Sequence, residues 1–124
     1  DLTELSSQLN LSTKEIIDLH TKQLYKVFML GFTPGFPYMG ILDDRLFSKR
    51  KAQPRISVAP GSVAIAGNQT GIYPLSTPGG WNIIGRTPLK LFDTKKENPF
   101  LLKAGDSIQF TSITKKEYED WLVR

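Results

Sequence analysis

The stretch from Pro54 to Asp93, PRISVAPGSVAIAGNQTGIYPLSTPGGWNIIGRTPLKLFD, decides the fold class. It is dense in Gly and Pro without being low-complexity. Short apolar runs (Val63 to Ala66, Ile83 and Ile84) alternate with the turn sequences GNQTG and STPGGW. Glycine permits backbone angles and close approaches that a Cβ forbids, and proline fixes φ. The pattern predicts short strands at about 55–58, 62–66, 70–73 and 81–86. Many short strands joined by tight turns indicate a barrel or a sandwich. The stretch also lies in an acid-free window, since no Asp or Glu occurs between Asp44 and Asp93. Arg45, Lys49, Arg50, Lys51, Arg55, Arg86 and Lys90 put seven positive charges there, against a whole-chain net of +4. A rigid, cation-only surface on a β framework is suited to a carboxylate, a phosphate or an acidic partner.

Towards the N-terminus, Leu2, Leu5 and Leu9 have near-helical spacing, with Asp1 or Thr3 as a cap. Ser12-Thr13-Lys14-Glu15 is a capping box that opens a helix running to about Lys22. Tyr25 to Leu30 reads as a strand, FTPGFPYMG as a break in all regular structure, and Leu42 to Phe47 as one helical turn. Towards the C-terminus, Leu89 to Phe92 and Leu101-Leu102 are apolar staples, Lys103 to Asp106 a turn, and Ser107 to Ile113 an alternating strand. Thr114 to Glu117 is a second capping box, opening a helix through Trp121 and Leu122. One domain results, with helices over about 1–22, a barrel over about 23–113 and a helix over about 114–123.

Composition excludes several function classes. The 124 residues suit one domain, able to bury roughly two-thirds of its unfolded surface. With 40% hydrophobic and 23% charged residues, neither disorder nor a coiled coil is favoured. There is no cysteine, which removes disulfides, thiolate catalysis and Cys-ligated metals, and fits a cytoplasmic home. No apolar run approaches the ~20 residues of a membrane span, and the start DLTELSSQL lacks the character of a signal peptide. The chain begins at Asp1 without an initiator Met, which points to a piece of a longer protein. The basic residues are not interleaved with stacking aromatics and match no nucleic-acid motif, so nucleic acid is not expected as a partner. Lys49-Arg50-Lys51 reads as a solvated loop.

No standard catalytic machine assembles from these residues. His20 is the only histidine, so a His-based metal site lacks ligands. It falls in an amphipathic helix, where a structural or surface role is expected. No serine sits in a G-x-S-x-G elbow and no P-loop occurs. Asp43-Asp44, Glu117, Glu119 and Asp120 are better explained as solvated faces than as a carboxylate pair. Three segments remain. Phe32 to Tyr38 places three aromatics in a Pro/Gly loop, which either folds over the barrel end or walls an apolar groove. Gly67-Asn68-Gln69-Thr70-Gly71-Ile72-Tyr73-Pro74 is either a hairpin turn or a display of donors and acceptors. Gln69-Thr70 at the centre of a two-residue turn would be unexpected. In Thr77 to Thr87, Trp81 either packs across bare glycine backbone or lines a groove. Arg86 either pins a carbonyl or grips a carboxylate.

Taken in order, FTPGFPYMG, PRISVAPGSVAIAG, QTGIYPLSTPGGWNIIGRTP and LLKAGDSIQF resemble the C-terminal half of the allophanate hydrolase subunit 1 family, which includes the B component of bacterial 5-oxoprolinase. The match covers about Tyr25 to Phe110. That family also includes KipI-type inhibitors of a sporulation histidine kinase, and the chain as a whole is similar to their C-terminal domain. The resemblance implies a mainly β fold, a cyclophilin-like β-barrel with short helices flanking it at both ends. It also implies a partner- or substrate-binding groove formed by Phe36, Tyr38, Gln69, Thr70, Tyr73, Trp81 and Arg86. Ala59-Pro60, Ser48-Lys49 and Met39 depart from the family's usual residues, which bears on the groove rim. No catalytic residue, metal or cofactor is implied for this domain by itself.

Two functions follow from the resemblance. The leading expectation is an inhibitor domain that docks on the dimerisation/phosphotransfer region of a histidine kinase and blocks autophosphorylation. The alternative is a subunit domain of ATP-dependent 5-oxoprolinase, holding a lactam carboxylate at a site shared with a companion subunit, with ATP bound elsewhere in the complex. Prolyl isomerase activity would rest on fold analogy alone.

Overall fold

The computed structural model describes residues 1–123. Two helices come first, α1 (Leu2–Leu9) and α2 (Thr13–Lys22). Strands β1 (Tyr25–Gly31), β2 (Phe36–Gly40), β3 (Arg55–Val58), β4 (Ser62–Ala66), β5 (Gln69–Ile72), β6 (Thr77–Gly79), β7 (Asn82–Arg86) and β8 (Ser107–Ile108) follow, and α3 (Lys115–Leu122) closes the chain. A single 3₁₀ turn, Asp44–Leu46, lies between β2 and β3. Both capping boxes form. The Ser12 and Thr114 hydroxyls accept from the Glu15 and Glu117 amides, and each glutamate accepts from the cap's own amide.

Six strands make one curled antiparallel sheet in the order β7-β4-β5-β2-β1-β8, and β3 and β6 pair as a separate ribbon. The fold is thus mainly β, a six-stranded half-barrel with short helices at both ends. Among the described residues, no helix is long and apolar enough to cross a membrane.

Strand alternation gives the sheet two differently packed faces. In β4, Val63 and Ile65 join a core with Leu5, Ile16, Tyr25, Val27, Met39 and Ile72, which α1 and α2 cover. Ala64 and Ala66 point the other way, into a smaller core with Phe36, Val58, Tyr73 and Trp81 under the β3/β6 ribbon. The small residues on that second face make room for the rings. Phe36 lies over Gly71, whose hypothetical Cβ would stand 2.7 Å from the ring edge, and Tyr73 occupies the space a side chain at Gly79 would need.

Three expectations are corrected. FTPGFPYMG does not break regular structure throughout, because its second half is strand β2. Pro37 pairs with Leu30 of β1, while the register with β5 covers only Met39 and Gly40. The missing N–H therefore falls outside the second ladder. The last strand stops at Ile108 rather than Ile113, since β1 offers it only Tyr25 and Lys26 as partners. In the β4–β5 hairpin, Ala66 pairs with Gln69, so the turn residues are Gly67 and Asn68, and Gly67 adopts φ 57°. Glycine first in a two-residue turn is the ordinary choice. Gln69 and Thr70 are strand residues, and the anomaly that drew attention to them disappears.

The acid-free window also finds a partner inside the chain. The Asp1 carboxylate, 5% exposed, pairs with Arg55 and Lys51 and accepts the Ile83 amide of β7 at 2.8 Å. Two of the seven cations are thereby committed to tying α1 against the sheet's edge. Lys49 and Arg50 stay exposed, as a solvated loop requires.

Candidate functional site

The seven residues expected to form one groove lie on different faces of the sheet. Phe36, Tyr73 and Trp81 are 2%, 1% and 6% exposed and pack edge-to-face, with ring centroids 5.1 Å (Phe36–Tyr73) and 5.3 Å (Phe36–Trp81) apart. Tyr38, half-buried, leans on Phe36 at 4.9 Å and on Trp81 at 6.0 Å. These four are a packing cluster that bare glycine backbone makes possible. Thr70 points to the opposite face and is fully buried. Gln69 sits half-buried beside the β4–β5 turn. Arg86 ends β7, exposed, with Nε donating to the Pro60 carbonyl at 3.3 Å. Its terminal NH₂ groups have no hydrogen-bond or ion-pair partner among the described residues.

The helix-covered face holds a different arrangement. The sheet's curl brings its two edge strands, β7 and β8, to the same cavity of about 700 Å³. Its walls are largely apolar, including Val63, Ile72, Ile84, Leu91, Ile108 and Phe110, while Arg86, Thr87, Ser107 and Gln109 supply polar groups. A mainly apolar pocket of this size with a few polar groups is typical of small-ligand sites. α2 contributes Ile17, Thr21 and, most pointedly, His20.

His20 is 3% exposed and packs in a three-ring cluster with Tyr25 and Phe110, with centroids at 5.4 and 4.5 Å from the imidazole and the two partner rings 5.9 Å apart. Its Nε2 lies 2.8 Å from Thr70 Oγ1, which in turn lies 3.1 Å from the Ala64 carbonyl. One hydroxyl proton serves one acceptor. Both contacts are satisfied only when Thr70 donates to Ala64 and His20 Nε2–H donates to Thr70. Nδ1 then carries a lone pair and has no protein partner among the described residues. Burial pulls the imidazole pKa down from 6.5 to about 4, so the ring is neutral at physiological pH. The Tyr25 hydroxyl donates to the His20 carbonyl at 2.7 Å and, chiefly through burial, has its pKa raised to about 12. It remains a donor that fixes the end of α2.

The sequence pattern alone places His20 as structural or surface. A signal for its burial is nevertheless present, because His20 follows Ile16 by four residues and so lies on the same helix face, and both are buried. Asn82 carries no such signal. Its Nδ2 donates to the Lys49 carbonyl at 2.8 Å and holds the 48–51 loop against β7. A separate apolar surface is exposed on and beside β1. Phe28, Met29 and Phe32 are 48%, 54% and 68% exposed, and Phe32 holds a positive φ of 66°.

A curled antiparallel half-barrel with a ligand-sized cavity between its edge strands defines the class of domain. Residues 1–102 match the model of the carboxyltransferase domain, subdomain C and D, and the chain belongs to that family. It is 52% identical over 118 residues to a 5-oxoprolinase subunit, the B component, of Bacillus subtilis (strain 168), covering 95% of this chain and 49% of the relative. It is 50% identical over 110 residues to the subunit of the same name from Escherichia coli O157:H7, covering 89% and 50%. The chain thus spans about half the length of these curated relatives. A crystal structure of a conserved uncharacterized protein from Pyrococcus horikoshii superposes with a TM-score of 0.90 at 44% identity, covering 95% of this chain and 55% of that one. The resemblance to the allophanate hydrolase subunit 1 family and its 5-oxoprolinase members is therefore real, and its implied fold holds.

Proposed function

We propose that this chain is a domain of the B component of 5-oxoprolinase, contributing to a cytoplasmic enzyme complex in which companion subunits bind ATP and complete the active site. The observation that carries this is the pairing of 52% identity to a subunit of that name with the cavity between β7 and β8. That cavity holds a buried neutral imidazole and an arginine whose fork is open, a donor–acceptor set suited to a small polar acid. The exposed Phe28, Met29 and Phe32 suit burial against a companion subunit. No nucleophile–base pair forms among the described residues, so turnover is expected only after assembly.

The test is reconstitution. Mixed with its companion subunits and ATP, the protein should restore 5-oxoproline hydrolysis, and omitting any one component should abolish it. Turnover that is unchanged when this chain is left out would refute the proposal.

Docking on a histidine kinase ranks second. Its support is the same exposed apolar surface on β1, which would suit a partner helix. The Bacillus and Escherichia relatives carry the 5-oxoprolinase name, and this reverses the order of the two expectations.

A further inference from the structure

We propose that the cavity between β7 and β8 binds a small carboxylic acid bearing an N–H group, with His20 Nδ1 accepting from the N–H, Arg86 gripping the carboxylate, and Thr70 acting as the positioning residue that fixes the imidazole. This deepens the 5-oxoprolinase reading, because a lactam acid is such a molecule.

The polarity follows from proton counting. Thr70 is the only side chain hydrogen-bonded to the ring among the described residues, and its single proton is committed to the Ala64 carbonyl. The alternative tautomer would leave no proton between Thr70 and Ala64. The Nε2–H form keeps both bonds and turns Nδ1 into an acceptor. An acceptor without a protein partner takes its hydrogen bond from water or from a ligand. Tyr25 and Phe110 both pack against the ring, with centroids 5.4 and 4.5 Å away, and together with the Thr70 bond they fix its orientation and the direction of the lone pair. Arg86 lines the same cavity. Only its Nε is engaged, on Pro60, which leaves the terminal groups available for a carboxylate. A neutral ring accepts from an N–H where an imidazolium could not, and the cation beside it supplies the selectivity for an acid. Thr70, wholly enclosed, reaches the ligand only through His20.

The ligand series tests this on the unmodified chain. Side-chain ¹⁵N NMR of the single histidine is recorded during titration with 5-oxoproline, its N-methyl derivative and its methyl ester. Expected is a protonated Nε2 and an unprotonated Nδ1 in the free protein, with the Nδ1 signal moving on addition of 5-oxoproline. The N-methyl compound and the ester should each bind at least about tenfold more weakly, the loss of one well-placed hydrogen bond. In Arg86→Gln the acid and the ester should bind alike, while the N–H preference persists. Thr70→Val should blur the tautomer and weaken binding, and Thr70→Ser should restore both. A free protein with Nδ1 protonated would overturn the proposal, as would an Nδ1 signal that 5-oxoproline does not move or an acid preference that survives Arg86→Gln. Reconstituted turnover separates the two readings. An active complex with a silent His20 removes this site and leaves the subunit role standing. Ligand binding with the expected pattern in a complex that fails to turn over does the reverse.

Discussion

The two faces of the half-barrel use their polar and aromatic residues in opposite ways. The face under the β3/β6 ribbon carries the residues that look most like a site in the sequence, Phe36, Tyr73 and Trp81. There they are packed out of reach of solvent. The helix-covered face looks like plain core in the sequence, with Val63, Ile65 and Ile72, yet it retains the cavity, the histidine and the open arginine. Aromatic rings beside glycines are as readily a filling as a wall. The deciding quantity is whether the glycines face them, and Gly71 and Gly79 do.

The strongest way to break this contrast is Trp81→Ala. Truncating a buried aromatic should cost about 3–5 kcal/mol. Denaturant unfolding should show it as a shifted midpoint with an unchanged slope. A stable variant would mean that Trp81 is a rim residue after all.

On the other face the largest effect is that of pH. His20 has a folded pKa of about 4, below its ordinary 6.5, so the folded state resists protonation. Its contribution is complete above pH 6.5 and falls away as pH drops towards 4, by about 3 kcal/mol in all. His20→Gln should remove that part of the pH dependence, read as the difference between the two proteins' unfolding free energies at about pH 4.5 and about pH 7. Parallel curves would show the ring to be solvated.

A smaller effect sharpens the account of the aromatic face. Gly71→Ala would bring a Cβ to 2.7 Å from Phe36 and 3.0 Å from the Pro37 carbonyl. Overpacking of this kind costs about 1–3 kcal/mol. Phe36→Leu in the same chain should recover part of it, because the ring is the obstacle.

The smallest effect on stability is expected at Met29. It is 54% exposed, and Met29→Ser should change stability by no more than about 0.5 kcal/mol. Affinity for a companion subunit, measured by calorimetry, should fall at the same time. Unchanged affinity would take β1 out of the proposed interface.

Much of the fold is legible in the sequence because local signals agree with each other. The capping boxes at Ser12 and Thr114, the apolar run of β4 and the strand at Tyr25 all depend on neighbours within a few residues. What is not legible depends on distant partners. Whether 109–113 continues a strand is settled by how much of β1 is available. The site is harder still. Thr70 and His20 are fifty residues apart in the chain, and only the packing of α2 on the sheet joins them at 2.8 Å. Likewise the carboxylate that meets Arg55 and Lys51 comes from Asp1, at the far end of the sequence.

The most direct test of whether function lies on the cavity face is turnover of 5-oxoproline by the reconstituted complex carrying either His20→Gln or Trp81→Phe. Each chain is first shown to fold by its near-ultraviolet spectrum. His20→Gln should lose at least about tenfold in kcat/KM, the equivalent of one well-placed hydrogen bond. Trp81→Phe, which keeps an aromatic ring in the packing cluster, should stay within about twofold of the parent, a difference of about 0.4 kcal/mol. The reverse pattern, with full activity in His20→Gln and a collapse in Trp81→Phe, would place the function on the aromatic face and contradict the assignment.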